Sequence, residues 1–144
     1  MYLVQEICSG TMEDYQAKTL DFIKNTWQRD CIYEIFEAIT DDFMYESPLT
    51  NARGFEWFAK YIDSIKDGFS DIDLSFRNIY SDNMSAVAYY TVTAKHTGSV
   101  MGIPATGKNV KFDVFTYLEF DDNEIRYMRT VYDLLELKTQ LGIN

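Results

Sequence analysis

The stretch KNVKFDVFTYLEF, residues 108–120, decides the fold of this chain. Nearly every second side chain in it is apolar, and successive side chains of a β-strand point to opposite faces of a sheet. The alternation therefore predicts one long, half-buried strand over residues 108–120. The face predicted to point inward carries Val110, Phe112, Val114, Thr116, Leu118 and Phe120.

Three further stretches around it also read as strands. Residues 72–80 alternate in the same way, and residues 86–96 form a long run of strongly β-prone side chains. A hairpin turn signal at 121–123 is followed by a predicted strand from 124 to about 133, and another turn signal lies at 81–83. The second half of the chain is therefore predicted to be an antiparallel meander.

Helical periodicity dominates the first half of the chain. Apolar residues recur there at the spacing that places them on one face of a helix. Helices are predicted over Met12–Trp27, Asp30–Ile39 and Phe55–Lys66, with a short final helix over Leu134–Leu141.

Capping and breaking residues suggest where these helices end. Thr11 and Asp30 are candidate N-caps, because short polar side chains accept hydrogen bonds from the free N–H groups of a first turn. Gly68 is expected to end the third helix. Residues 41–46 read as a short extended segment before Pro48.

The order of helices, then strands, then a closing helix predicts an α+β fold. We expect one domain over residues 1–144, with helices covering one face of a curved sheet. Residues 1–10 fit no periodic element and are expected to form a loose arm. A cone of this kind is open at one end, and such openings are common ligand sites.

The charge and the cysteines exclude several classes of protein. A net charge of −10 repels phosphate backbones and anionic lipid, so we expect no nucleic-acid and no membrane partner. Cys8 and Cys31 are too few for a disulfide framework or a zinc site and are read as reduced thiols of a cytoplasmic protein. Residues 1–7 lack the basic start of a signal peptide. No phosphate-binding loop or metal spacing is present, and no cofactor is expected.

Two motifs point to a family. Residues 96–107 read HTGSVMGIPATG, and Asp133-Leu134-Leu135 is followed by Gln140-Leu141-Gly142. Together they resemble the SnoaL-like polyketide cyclase family, also called the ester-cyclase family, from about Tyr15 to Gly142. The resemblance implies a cystatin-like, nuclear-transport-factor-like cone with N-terminal helices packed on a curved, mostly antiparallel sheet. It also implies a homodimer packed through the sheet.

The same resemblance implies a reaction and its residues. Cyclases of the family close a ring by an aldol condensation without metal or cofactor, using a carboxylate on the last strand. Counted back from Gln140-Leu141-Gly142, that Asp falls on Thr130. The family's other polar positions fall on Thr116, Val114 and Tyr45. Because a threonine cannot act as a base near neutral pH, aldol chemistry of this type is not expected here.

The strand parity predicts what such a pocket would contain. Val114, Thr116 and Leu118 share a face with Met128, Thr130 and Tyr132 of the next strand, and Tyr90 lies on the preceding strand. This surface is apolar with a few hydroxyls. It suits a small, mostly apolar molecule that bears one or two oxygens. The alternative is that these side chains fill the cone completely.

Three residues are candidates for a different acid or base. His96 is the single histidine and could titrate near neutral pH, although a loop-anchoring role explains it as well. Asp133 could lie at the pocket mouth or act as the N-cap of the final helix. Tyr45 stands at the family's early polar position.

These observations leave three functions open. The chain could be a cofactor-independent isomerase, cyclase or hydrolase that uses His96, Tyr45 or Asp133. It could instead be a non-catalytic module that binds a hydrophobic ligand, or a structural domain with a packed cone.

Overall fold

The computed structural model describes residues 12–28 and 32–143. The two cysteines, the candidate caps Thr11 and Asp30 and the expected arm over 1–10 lie outside the described residues. Within the described part, helices and strands follow in the order α1 (Met12–Trp27), α2 (Ile32–Ala38), β1 (Ile39–Glu46), β2 (Asn51–Arg53), α3 (Phe55–Gly68), β3 (Phe69–Ser81), β4 (Ser85–His96), β5 (Asn109–Asp121), β6 (Glu124–Val131) and α4 (Leu134–Leu141).

The strands form one sheet in the order β2-β1-β6-β5-β4-β3. All neighbours are antiparallel except β1 and β6, which run parallel. Register shifts interrupt the pairing of β3 with β4 and of β5 with β6. Such bulges bend a strand and increase its twist, and they help the sheet to curve around its helices.

The core lies between the helices and the inner face of the sheet. Phe22 and Ile23 of α1 and Phe58 of α3 are almost completely buried there. They pack against inward side chains of the central strands, which include Tyr90 and Leu118. The ring centroids of Phe22 and Phe58 are 6.4 Å apart and the rings lie nearly parallel, so they tie α1 to α3.

The structure confirms the predicted architecture. The strand over residues 109–121 buries its predicted face, and Thr116 pairs with Thr130 across β5 and β6. The final helix has the predicted bounds, Leu134–Leu141. The α+β fold with helices on one face of a mostly antiparallel sheet is therefore established.

Several features differ from the sequence prediction. The second helix ends at Ala38, and Ile39 begins β1, because Ile39 is needed in the core opposite Ile125 of β6. The last strand ends at Val131, two residues before the predicted end. The short strand β2 was not predicted, and neither was the parallel pairing of β1 with β6.

No helix in residues 12–28 or 32–143 combines the length and apolar character needed to cross a membrane.

Candidate functional site

A cavity lies between the helices and the inner face of the sheet, and we call it the interior cavity. Its volume is about 80 Å³. Strands β3, β4 and β5 provide nearly half of the residues in its wall, and the loop after β4 contributes Val100 and Met101. Helix α3 contributes Tyr61 and Ile65 from the opposite side. The wall is therefore made of side chains that the fold brings together from across the chain.

The loop after β4 is held close to the end of α3. The backbone N–H groups of Thr97 and Gly98 both donate to the Gly68 carbonyl oxygen, each over 3.0 Å. A Cβ atom at Gly98 would overlap the Asp67 carbonyl oxygen, so only glycine allows this approach. This contact positions Val100 at the wall of the interior cavity.

A chain of hydroxyls crosses the inner face of the sheet, formed by Tyr90, Thr116 and Thr130. The Tyr90 hydroxyl lies 2.8 Å from Thr116 Oγ1, which lies 3.1 Å from Thr130 Oγ1. Tyr90 and Thr130 also line the interior cavity. Burial raises the pKa of Tyr90 far above its usual value, and the Thr116 hydroxyl offsets part of the rise.

A second group of hydroxyls lines the cavity, and we call Tyr45, Tyr61 and Tyr132 the tyrosine cluster. The Tyr45 and Tyr61 ring centroids are 5.5 Å apart. Burial raises the pKa of Tyr45 well above its usual value, and Tyr61 adds to the rise. Hydroxyls of Ser47 and Thr130 lower the pKa of Tyr45, because they can donate to a phenolate.

Tyr61 is the centre of this cluster. Burial raises its pKa, and the neighbouring side chains of Ser47, Tyr45 and Tyr132 offset part of that rise. For Tyr132, burial and the neighbouring Tyr61 together raise the pKa strongly. All the phenols of the cluster therefore stay protonated at neutral pH and can donate hydrogen bonds.

The wall of the interior cavity contains no Asp, Glu, His, Lys or Arg from the described residues. The polar side-chain groups of its residues are hydroxyls and the indole N–H of Trp27, and none of these acts as a base near neutral pH. Likewise, the described residues contain no group of three His, Cys, Asp or Glu side chains that could hold a metal ion.

The sequence-predicted ligand residues divide into two sets. Val114, Thr130, Tyr132 and Tyr90 line the interior cavity. Thr116, Leu118 and Met128 are completely buried and do not belong to the wall. They share the predicted face with the wall residues, but they lie farther along the strands, where α1 and α3 cover the sheet.

The three acid or base candidates occupy different places. Tyr45 is 1% exposed and lines the interior cavity. His96 is buried outside the wall, where its Nδ1 accepts from the Thr106 backbone N–H over 3.2 Å and its ring packs on Phe69. Asp133 caps α4, since its Oδ1 accepts from the Glu136 backbone N–H over 3.0 Å. Only Tyr45 of the three is therefore in contact with the cavity.

Tyr61 was missed by sequence reasoning, and a signal for it was present. It lies one turn after Phe58 on a helix whose apolar face was recognised. Its aromatic ring and polar tip suit a half-buried position beside a cavity. Helical periodicity alone does not distinguish such a position from the edge of the core.

The chain matches a known protein family over most of its length. The family model described as SnoaL-like polyketide cyclase matches residues 17–141. No curated protein matches the chain.

Solved structures with the same fold are distant in sequence. AclR from Streptomyces galilaeus is 22% identical with a TM-score of 0.79, and the match covers 92% of this chain and 98% of AclR. TsrD from Streptomyces laurentii is 20% identical with a TM-score of 0.77, covering 90% and 98%. A LEH-like epoxide hydrolase from M. tuberculosis is 17% identical with a TM-score of 0.71, covering 91% of each chain.

At these identities the structural likeness shows the fold alone. The match to the family model, in contrast, covers most of the chain and agrees with the motifs at residues 96–107 and 133–142. This chain is a member of the SnoaL-like polyketide cyclase family.

Proposed function

We propose that the interior cavity binds a small, mostly apolar molecule that carries a hydrogen-bond-accepting oxygen. The observation that carries this proposal is the composition of the wall, which is largely apolar and whose polar residues carry hydroxyls, or in Trp27 an indole N–H, but no charge. Burial of apolar ligand surface contributes about 25 cal/mol per Å². The hydroxyls would then fix the orientation of the ligand through its oxygen.

The size of the cavity limits the ligand. Its volume is about 80 Å³, whereas an apolar cavity of about 150 Å³ takes a benzene ring. A larger ligand would need a side chain of the wall to move. Met101 is the best candidate, because it is unbranched, partly exposed and part of a loop.

Aldol ring closure of the polyketide-cyclase type is not part of the proposal. The resemblance places the catalytic Asp at Thr130, and the wall offers no replacement carboxylate or imidazole. A threonine hydroxyl has no pKa near neutral pH and cannot take up the proton that enolate formation releases.

Ligand-observed NMR with a panel of small ketones, ethers and hydrocarbons tests the proposal. We expect oxygen-bearing members to bind and Val114→Phe to abolish binding, because the larger side chain fills the cavity. Leu135→Phe is the control, since Leu135 is 72% exposed and does not line the cavity. Binding that survives Val114→Phe would place the ligand elsewhere and contradict the proposal.

A second candidate function is a cofactor-independent isomerase, cyclase or hydrolase that uses Tyr45 as its acid. It is favoured by one observation: Tyr45 is the single acid or base candidate from the sequence that lines the cavity. Turnover of a small carbonyl substrate should then be lost in Tyr45→Phe and retained in Asp133→Asn. Equal turnover in both variants would rule out this role for Tyr45.

We also propose that the chain forms a homodimer through the outer face of the sheet. Tyr89, Phe115 and Val131 lie side by side across β4, β5 and β6 on that face. Phe115 is 47% and Val131 48% exposed, and exposed apolar patches often mark interfaces. Analytical ultracentrifugation of the parent protein should show a dimer, and the Phe115→Asp variant should be a monomer. A monomeric parent protein would contradict the proposed dimer.

A further inference from the structure

The motif Gln140-Leu141-Gly142 lies at the end of α4 and joins this helix to the sheet. The Gln140 side chain forms two hydrogen bonds with the backbone of Lys111 in β5. The Lys111 N–H donates to Gln140 Oε1 over 2.8 Å, and Gln140 Nε2 donates to the Lys111 carbonyl oxygen over 2.8 Å. The amide therefore pairs with β5 in the way that a residue of a neighbouring antiparallel strand would.

The Gln140 amide takes the place of a strand that stops short. Strand β6 ends at Val131, which pairs with Phe115 of β5. Lys111 lies beyond that end, where β6 offers no partner to its backbone N–H and C=O. Backbone groups of a strand need hydrogen-bond partners, and Gln140 supplies both at this position.

Helix α4 also closes one end of the interior cavity. Leu137 is 3% exposed and lines the wall, and Leu141 is 2% exposed. Both belong to an apolar cluster that includes Val100, and Met101 packs against this cluster. The helix and the loop after β4 therefore meet at the same end of the cavity.

The position of α4 allows it to leave the fold while the sheet stays intact. It follows the last strand, so its detachment would break no strand pairing. A helix of this length does not persist on its own in water, so α4 depends on its contacts to the rest of the chain. The two hydrogen bonds of Gln140 are exposed to solvent, and such regions are the ones that open locally.

The remaining wall of the cavity is less able to move. Most wall residues belong to strands of the sheet. These strands can move aside only if their backbone hydrogen bonds to neighbouring strands break. Displacement of Leu137 with α4 would open the cavity without that cost.

We infer that α4 is a flap over the interior cavity and that the Gln140 amide is the latch that holds it closed. When both hydrogen bonds to Lys111 open, α4 turns away at Tyr132 and Asp133, and Leu137 leaves the wall. The use of this opening as a ligand entrance rests on the proposed function. The hold of Gln140 on α4 does not depend on it.

Amide hydrogen exchange in the full chain tests the latch without a ligand. In the parent protein, the Leu137 amide should exchange faster than the Tyr90 amide of β4, because the flap opens without global unfolding. Gln140→Met removes both hydrogen bonds and keeps a side chain that suits a helix. It should speed exchange of the Leu137 and Leu141 amides by the same factor, about five- to tenfold. Fraying of the helix end would instead affect Leu141 alone.

Thr139→Met is the matched control for the latch. Its lost hydrogen bond, from Thr139 Oγ1 to the Leu135 carbonyl oxygen, lies within α4 and does not reach β5. It should change the exchange of the Leu137 amide much less than Gln140→Met does. Equal exchange of the Leu137 and Tyr90 amides in the parent protein would overturn the flap. Parent-like exchange of the Leu137 amide in Gln140→Met would overturn the latch.

Tetrahydrofuran, a small cyclic ether, tests the entrance by NMR line-shape titration. If the flap controls entry, Gln140→Met should raise its association and dissociation rates by the same factor, about five- to tenfold, and leave Kd nearly unchanged. Unchanged rates alongside faster amide exchange would overturn the entrance and leave the latch and the cavity site standing. If neither this ether nor any other member of the panel bound, the proposed function would fail together with the entrance. Amide exchange would then decide the latch by itself.

Discussion

Thr116 and Thr130 face each other across β5 and β6 with their hydroxyl oxygens 3.1 Å apart. Both are buried, and Thr116 also meets the Tyr90 hydroxyl at 2.8 Å. The position where the family resemblance expects a catalytic carboxylate is thus part of a neutral hydroxyl chain. The side chains of this chain of hydroxyls can donate and accept hydrogen bonds.

Thr130→Asp should place a carboxyl group with a strongly raised pKa into this chain. Burial without a cation disfavours the ionised form, so the penalty is absent below the unfolded pKa of about 3.9 and grows as the pH rises toward the folded pKa. If the pKa of the introduced carboxyl group rises by about two units, the free energy of unfolding should fall by about 3 kcal/mol near neutral pH. Urea unfolding at several pH values measures it. Thr130→Asn has the same shape without titration, and a similar pH dependence of both variants would contradict the expectation.

The buried tyrosines should make the protein sensitive to alkali. The pKa values of Tyr45, Tyr61, Tyr90 and Tyr132 are all raised by burial, so above about pH 10 the unfolded chain loses protons that the folded chain keeps. Stability is therefore fully present below pH 10 and falls as the pH rises. The slope is at most about 1.4 kcal/mol per pH unit for each tyrosine.

Phenolate absorbance and circular dichroism, followed together, check this expectation. A large fraction of the phenolate signal should appear only as the protein unfolds. Tyr90→Phe removes one of these phenols. It should therefore reduce the slope of the unfolding free energy against pH by at most about 1.4 kcal/mol per pH unit. Complete titration of all phenols before any loss of structure would contradict the burial argument.

Gly98→Ala should destabilise the protein more than a typical loop substitution. The added Cβ would overlap the Asp67 carbonyl oxygen, and the loop would have to move away from α3. We expect a loss of about 2–3 kcal/mol in the free energy of unfolding. Gly107→Ala is the comparison, since Gly107 has a φ of +72° but no atom near the added Cβ. Gly107→Ala should lower the free energy of unfolding by about 1–2 kcal/mol. A larger loss in Gly107→Ala than in Gly98→Ala would contradict the close approach of Gly98 to the Asp67 carbonyl oxygen.

Asp133→Ala should reduce stability by about 1 kcal/mol through loss of the α4 N-cap. Asp133→Asn should retain most of the stability, because an asparagine side chain also caps well. Neither variant should change ligand affinity, since Asp133 does not line the interior cavity. Thermal unfolding and ligand titration measure the two effects. A large affinity loss in Asp133→Asn would instead support a role for the carboxylate at the site.

His96→Phe should loosen the loop after β4. The ring would still pack on Phe69, but the Thr106 backbone N–H would lose its acceptor. Loss of this partly buried hydrogen bond should cost about 0.5–1.5 kcal/mol. Hydrogen exchange of the Thr106 amide should be faster in this variant than in the parent protein. Unchanged exchange would show that the side chain does not hold the loop.

Much of the secondary structure could be predicted because it depends on local periodicity. The alternation over residues 108–120 predicted β5, and strand parity predicted that Thr116 and Thr130 share a face of the sheet. The short strand β2 could not be predicted in this way, since three residues carry no period. The parallel pairing of β1 with β6 was equally hidden, because it joins segments about 80 residues apart in the chain.

By itself, the sequence determined the fold class and the family. Each depends on residue identity, period or motif, and these are local properties of the chain. Only the tertiary structure decided which inward side chains line the cavity and which are core. Thr116 and Thr130 share a face, but only Thr130 reaches the wall. The tertiary structure also brings Tyr61 of α3 beside Tyr45 of β1. Such side-chain neighbours depend on how the helices cross the sheet and not on spacing along the chain.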